Sequence, residues 1–275
     1  MLTLLLVVSS IASGSLCKPM DVVDMVTLRS GSTTVVAPDT HLAREALAAV
    51  DSAKRTARLH LGLTLRSFLL VPSAPLNEHR KAGCDLYFEW PFFLELRSRR
   101  LNRSSMQHEI GHEVFIRYLA PPSGRAEYGG QAPDWLDEMA AIVFEDKAAT
   151  EDRRLSAVLY NKRKRLIPVS RLFAMRHPEW VDKAQLSAPV VIDTSRPDSQ
   201  PYYATVRVLL DYLLHKTGDS RIIASLATQS NDASKFVLEA LDANSHDELD
   251  EMLTSFVDAN TLYQRSRDQA LRLSR

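Results

Sequence analysis

The sequence predicts an α+β protein, and three observations carry that prediction. Strand-like alternation of apolar and polar residues is confined to positions before 100. From about residue 134 to the end, apolar residues recur at helical spacing with few breaks. Between the two lies one helix, expected over 104–119, that is apolar on much of its circumference and yet carries two histidines.

Taken in order, residues 22–28 and 33–36 alternate around Ser30-Gly31-Ser32, the pattern of a β-hairpin. Thr40 is placed to cap a helix over 41–61. Leu42, Ala46, Ala49 or Val50, and Ala53 share one of its faces, and Gly62 is placed to end it. Residues 65–71 read as a strand stopped by Pro72 and Pro75. Residues 85–90 and 92–96 read as two more, separated by Pro91. In the 104–119 helix, Met106, Ile110, Val114, Phe115 and Leu119 form apolar rows at three- and four-residue spacing. Further helices are expected at 134–146, 151–165, 169–177, 201–217, 219–228, 232–242, 245–259 and 261–273. No repeat or low-complexity linker divides the chain. The expectation is therefore one domain over 17–275, with an α+β lobe to about 146 that carries the histidine helix and a helical lobe over 147–275.

Charge narrows the partners. Lys and Arg number 34, as do Asp and Glu, so the net charge is zero. A balanced chain lacks the basic excess that nucleic acid or an anionic membrane demands as main partner. Residues 2–11 are mostly apolar and run into Ala12-Ser13-Gly14-Ser15, resembling a secretory signal over 1–16, though without a basic residue ahead of it. Export, periplasmic or extracellular, follows as an expectation, with no stable membrane insertion after cleavage. The chain has two cysteines, Cys17 and Cys84, which an oxidising compartment would allow to pair and which otherwise stay as thiols.

The chemistry is concentrated in His108-Glu109-Ile110-Gly111-His112. Histidines four apart on a helix project from nearly one face, one turn apart, so that one zinc ion can take both. Glu109 stands beside them, placed to accept a proton from a water rather than to ligate. A zinc site needs a third protein ligand and an open position. A metzincin-type extension is ruled out, because Phe115 and Tyr118 stand where it requires Gly and His. Glu138 is the leading choice. Pro133 suits the start of its helix, and Trp135, Met139, Ile142 and Val143 give it a packing stripe. Glu127 and Asp134, in and after the turn-rich loop beginning at Pro121, are the rival ligands. The six other histidines have no ligand-spaced partner and read as surface or satisfied side chains.

The HExxH sequence followed by Pro133-x-Trp135-Leu136-x-Glu138-x-x-Ala141 resembles the gluzincin metallopeptidases, in particular their peptidase MA-like group. That resemblance implies a zincin-like fold, with zinc held by His108, His112 and Glu138 in a cleft between the two lobes and Glu109 as general base. The chain departs from the family's pattern in two places. Met139 stands where the family commonly has Gly, and the connection from His112 to Glu138 is longer than in thermolysin-like relatives. Downstream, Tyr203 precedes Asp211-Tyr212-Leu213 and a terminal Gly218 as in the family, which implies an oxyanion-stabilising role for Tyr203, with Tyr202 as the alternative. The resemblance also implies a strand pair around 86–88 and 93–95 to which peptide substrates would add. The expected activity is zinc-dependent peptide hydrolysis, on peptide or protein substrates. A zincin-like binding module without catalysis is the first rival, and a helical interaction protein with a chance motif the second.

Overall fold

The structure is a computed structural model that describes residues 26–37, 39–65, 68–72, 87–90, 103–120, 132–175, 199–229 and 232–273. The expected signal segment, Cys17, Cys84, Glu127 and the strand over 92–96 lie outside the described residues. Within them the chain is mainly helical with a four-stranded mixed sheet, so the broad class is α+β. Two compact units are present, one drawn from Met1–Leu47 with Arg66–Arg100, the other from Ala48–Leu65 with Leu101–Arg275.

The first unit holds the sheet. Strands β1 (Val26–Ser30) and β2 (Thr33–Ala37) pair antiparallel, with Val26 opposite Ala37 and Ser30 opposite Thr33. The turn between them is Gly31-Ser32, and Gly31 has φ 56°, a conformation that glycine adopts at little cost. Strand β3 (Phe68–Pro72) adds to β2 in parallel, and β4 (Tyr87–Trp90) adds to β3 in parallel, giving the order β1-β2-β3-β4. Parallel neighbours need a long crossover, and helix α1 (Thr40–Thr56) lies in the β2–β3 connection. Its cap is Asp39 rather than Thr40. The Leu42 N–H donates to Asp39 Oδ1 at 2.8 Å, and a carboxylate is a strong acceptor for an orphan amide at a helix start. The helix buries Leu42, Ala43, Ala46, Ala49, Val50 and Ala53. It then widens into a π-helical turn, Ala57–Leu61, closed by Gly62 at φ 68°.

The second unit is helical. It contains α2 (Arg103–Tyr118), α3 (Asp134–Ile142), α4 (Lys147–Lys162), α5 (Val169–Ala174) and α6 (Ser199–Thr217). These are followed by α7 (Ile222–Thr228), α8 (Ala233–Ala240), α9 (His246–Ala259) and α10 (Gln264–Leu273). Helix α4 begins earlier than the expected 151 because Asp146 caps it, accepting from the Ala149 N–H at 3.0 Å. Ser245 caps α9 in the same way through the Glu248 N–H, at 3.1 Å. The apolar rows read in the sequence form the core: Met106, Ile110, Val114 and Phe115 of α2 and Trp135, Leu136, Met139 and Ile142 of α3 are all buried.

Helix α2 belongs to the same compact unit as α3 to α10. The cause is the depth of the α2–α3 contact. A Cβ on Gly111 would lie 2.8 Å from the Ala141 Cα, so the two helices meet backbone to backbone at that point.

An ion cluster ties α4 to α6. Asp211 is buried and accepts from Arg154 Nε at 2.8 Å and Nη2 at 3.1 Å, from Arg207 one turn earlier, and from the Tyr263 hydroxyl at 3.0 Å. Burial alone would raise the Asp211 pKa, but the two guanidinium groups outweigh it and hold the carboxyl below its usual range. Removing this charge strands two arginines. Asp211→Asn is expected to cost about 3–5 kcal/mol in urea unfolding. Because the folded pKa is depressed, the stabilisation is present above the carboxyl's unfolded pKa and is lost as pH falls through the folded one. A flat acid limb in wild type, or a loss near zero in the variant, would contradict this assignment.

Candidate metal site

Helix α2 presents His108 and His112 one turn apart, as their spacing requires, and α3 runs against it with Asp137 and Glu138 buried at their contact. The Nε2 atoms of the two histidines lie 3.2 Å apart. Glu138 faces both, with Oε1 3.2 Å from His108 Nε2 and Oε2 3.6 Å from His112 Nε2. One ligand atom from each of the three lies within 4.8 Å of the others. Three donors so close together enclose one point.

The outer nitrogen of each ring is held by a second carboxylate. His108 Nδ1 lies 3.0 Å from Glu145 Oε1, and His112 Nδ1 lies 3.0 Å from Asp137 Oδ2. A carboxylate on Nδ1 favours the tautomer that carries its proton there. The lone pair is then left on Nε2, directed at the shared point, and the ring is more basic as a ligand. Glu145 is itself fixed by Arg153, whose Nε lies 3.1 Å from each of its oxygens. Burial would raise the Glu145 pKa, but hydrogen bonds from His108 and Arg153 and the Arg153 charge overcome it and bring it down to about 2. Glu145 is therefore a permanent anion at neutral pH.

His112 shows the charge demand of the site. Burial disfavours its protonated form, but Asp137, by charge and hydrogen bond, and then Glu138 and Glu109 raise its pKa to about 10. In the metal-free chain, a proton on His112 is the cation that answers these carboxylates. A metal bound between Nε2 atoms would take over that role and release the proton.

The donor set fits a divalent metal. Two imidazoles and one carboxylate are a common zinc set, and three protein ligands leave a position for water. Glu109 is half-buried, on the same side of α2 as His112, and near enough to act on it electrostatically. Tyr203, on α6, lies with its ring centroid 6.3 Å from that of His108, and the Arg153 guanidinium sits 4.4 Å above its ring. Tyr202 packs edge-on to Tyr203 at 5.8 Å. Burial raises the Tyr202 pKa well above normal, reinforced by Glu138, Asp134 and Asp137, so its hydroxyl stays protonated. Of the rival ligands, Asp134 opens α3 and is not among the converging donors.

Four contributors were not singled out in the sequence: Asp137, Glu145, Arg153 and Gly111. Asp137 adjoins Glu138 and Glu145 follows the end of α3, so both were visible as acids near the third ligand. Their pairing with Nδ1 depends on the angle of α3 against α2. Arg153 comes from the next helix, and Gly111 is a non-ligand position of the motif. No family model, curated protein or solved structure matches this chain.

Two substitutions test the construction of the site. Gly111→Ala puts a methyl where Ala141 already stands, at 2.8 Å from its Cα, and is expected to cost about 1–3 kcal/mol in urea unfolding. It should also weaken zinc, by moving Glu138 away from the histidines. Asp137→Asn should weaken zinc about 10–100-fold in a competition titration against a chromophoric chelator. Unchanged zinc affinity in Asp137→Asn would show that Asp137 does not set the His112 tautomer.

Proposed function

We propose that the chain is a gluzincin-type zinc peptidase with a zincin-like arrangement around α2 and α3. The observation that carries this reading is the convergence of two Nε2 atoms and the Glu138 carboxylate, with a carboxylate behind each ring. His108, His112 and Glu138 would hold the metal. Zinc, when bound, supplies a Lewis acid that makes water more acidic and polarises a carbonyl.

The chain's own residues supply the remainder. Glu109 takes the proton from the water that attacks the scissile carbonyl and returns it to the leaving amine. The Tyr203 hydroxyl donates to the oxyanion that develops on the carbonyl oxygen. Arg153 keeps the Tyr203 ring in place from one side and, through Glu145, His108 from the other. A peptide as substrate rests on the resemblance of the His108 to Ala141 segment to gluzincins, and export rests on the apolar run over 2–11.

Glu109→Gln is the decisive variant. It preserves shape and all three ligands, so it should retain about one zinc per chain while hydrolysis of an unstructured protein falls about 10²–10⁴-fold. Activity retained in that variant would overturn Glu109 as base. Zinc binding without any cleavage by wild type would favour the binding module, and absence of zinc the helical interaction protein.

A further inference from the structure

Tyr263 is wholly buried, yet it carries a hydroxyl into the ion cluster that joins α4 to α6. It closes a short 3-10 turn, Thr261–Tyr263, that follows α9 and leads into α10. The turn is fixed at its start by Asn260, whose side chain accepts from the Leu262 N–H at 2.9 Å. Arg267 Nη1 ties α10 back onto it, donating to the Val257 and Asn260 carbonyls at 2.8 and 3.0 Å. The Tyr263 ring stands edge-on to Phe256 of α9, with centroids 5.7 Å apart. Beyond the turn, α10 packs on α4 and buries Ser266 and Ala270. The direction of the phenol is therefore set by the segment 260–273.

The hydroxyl donates to Asp211 Oδ2 at 3.0 Å, and the same oxygen accepts from Arg154 Nε at 2.8 Å. Arg154 Nη2 reaches Oδ1 at 3.1 Å, and the guanidinium lies 6.0 Å from the centre of the Tyr263 ring. Three elements meet at this carboxylate: α4 through Arg154, α6 through Asp211 itself, and the 3-10 turn through Tyr263. Burial and then the Asp211 charge push the Tyr263 pKa well above its usual value, so the hydroxyl is a donor at neutral pH.

Charge balance does not call for this phenol, because Arg154 and Arg207 already bring two cations to one carboxylate. A neutral donor from a third direction adds geometry instead. A carboxylate held from α4 and α6 can still pivot, and a bond from the 3-10 turn opposes the pivot. The consequence reaches the candidate metal site through two short routes. Arg153 follows directly before Arg154 on α4, and its guanidinium lies 4.4 Å above the Tyr203 ring. Tyr203 shares the α6 face of Arg207 and Asp211. Rotation of α4 against α6 would therefore carry Arg153 across Tyr203. We propose that Tyr263 is a positioning residue: by holding Asp211 against Arg154, it sets the place of Tyr203 beneath Arg153. This rests on the peptidase reading, in which the Tyr203 hydroxyl donates to the oxyanion.

The test measures kcat and KM on dye-labelled casein with the zinc-loaded full chain, as wild type, Tyr263→Phe, Arg154→Lys and Val237→Ala. Val237, buried on α8, serves as a control for lost packing alone. Circular dichroism and zinc stoichiometry confirm that each variant is folded and loaded. Tyr263→Phe and Arg154→Lys should each lower kcat about 5–10-fold and leave KM unchanged, because an oxyanion contact is made only in the transition state. Val237→Ala should keep kcat. In a Tyr203→Phe background, Tyr263→Phe should cause no further loss. With fluorotyrosine placed at position 203, the fluorine resonance should move in Tyr263→Phe and stay in Val237→Ala. An unchanged kcat in Tyr263→Phe, an equal loss in Val237→Ala, an undiminished loss in the Tyr203→Phe background or an unmoved resonance overturns the proposal while the peptidase reading stands. A wild type that loads zinc and cleaves nothing overturns that reading, and this proposal with it.

Discussion

The candidate metal site depends on how closely α2 and α3 approach. With no side chain at Gly111, the Ala141 backbone comes to within a distance that any Cβ would occupy. That approach brings Glu138 to 3.2 Å from His108 Nε2 and, on the adjacent position, Asp137 to 3.0 Å from His112 Nδ1. Neighbouring residues on a helix point about 100° apart, so a single helix can offer one carboxylate to the front of the site and one to the back only when it lies very near. Helix α3 also buries Trp135, Leu136, Met139 and Ile142, with Trp135 against the Phe173 ring, so one helix serves both the apolar core and the polar site.

Such a site would be costly if its charges were unmatched. Glu109, Asp137, Glu138 and Glu145 gather around two imidazoles, with the Arg153 guanidinium beside Glu145. Buried carboxylates persist when each has a donor or a cation. Glu145 has Arg153 and His108, which keep it ionised down to about pH 2. The carboxylates around His112 answer to its proton, whose hold is strong enough to last to about pH 10. An acidic cluster around two imidazoles is a place where a cation can replace that proton, and His108, His112 and Glu138 are the group that could hold a metal ion.

The sequence made part of this legible, for physical reasons that can be named residue by residue. The four-residue spacing of His108 and His112 is a local property of a helix, and the apolar rows flanking them showed that the helix would be buried. Glu138 was reachable because Pro133 and Trp135 marked a helix start at a fixed offset from it. The hairpin was readable from Gly31, and the end of the first helix from Gly62, since positive φ has a residue signature. Asp39 was passed over for Thr40 because both are good caps and only the backbone position decides between them. The partners of Nδ1 were hidden, because they depend on the crossing of α2 and α3 and on the turn that brings Glu145 back.

Helix α4 connects the buried ion cluster to the site. Arg153 and Arg154 are consecutive and therefore diverge: Arg153 turns to Glu145 and the Tyr203 ring, Arg154 to Asp211. On α6, Tyr203, Arg207 and Asp211 recur every four residues and share a face. The Arg154–Asp211–Arg207 cluster thus fixes the relative position of α4 and α6 two turns from Tyr203, while Arg153 engages Tyr203 itself. If Tyr203 donates to the oxyanion as proposed, it gains from a rigid mounting, since each degree of freedom removed beforehand need not be lost at the transition state. The buried charges of Asp211 and its arginines are poor sources of net stability, because their desolvation offsets much of their attraction. Their value lies in angular precision: apolar contacts between α4 and α6 would tolerate sliding, and a carboxylate held by two guanidinium groups and a phenol does not.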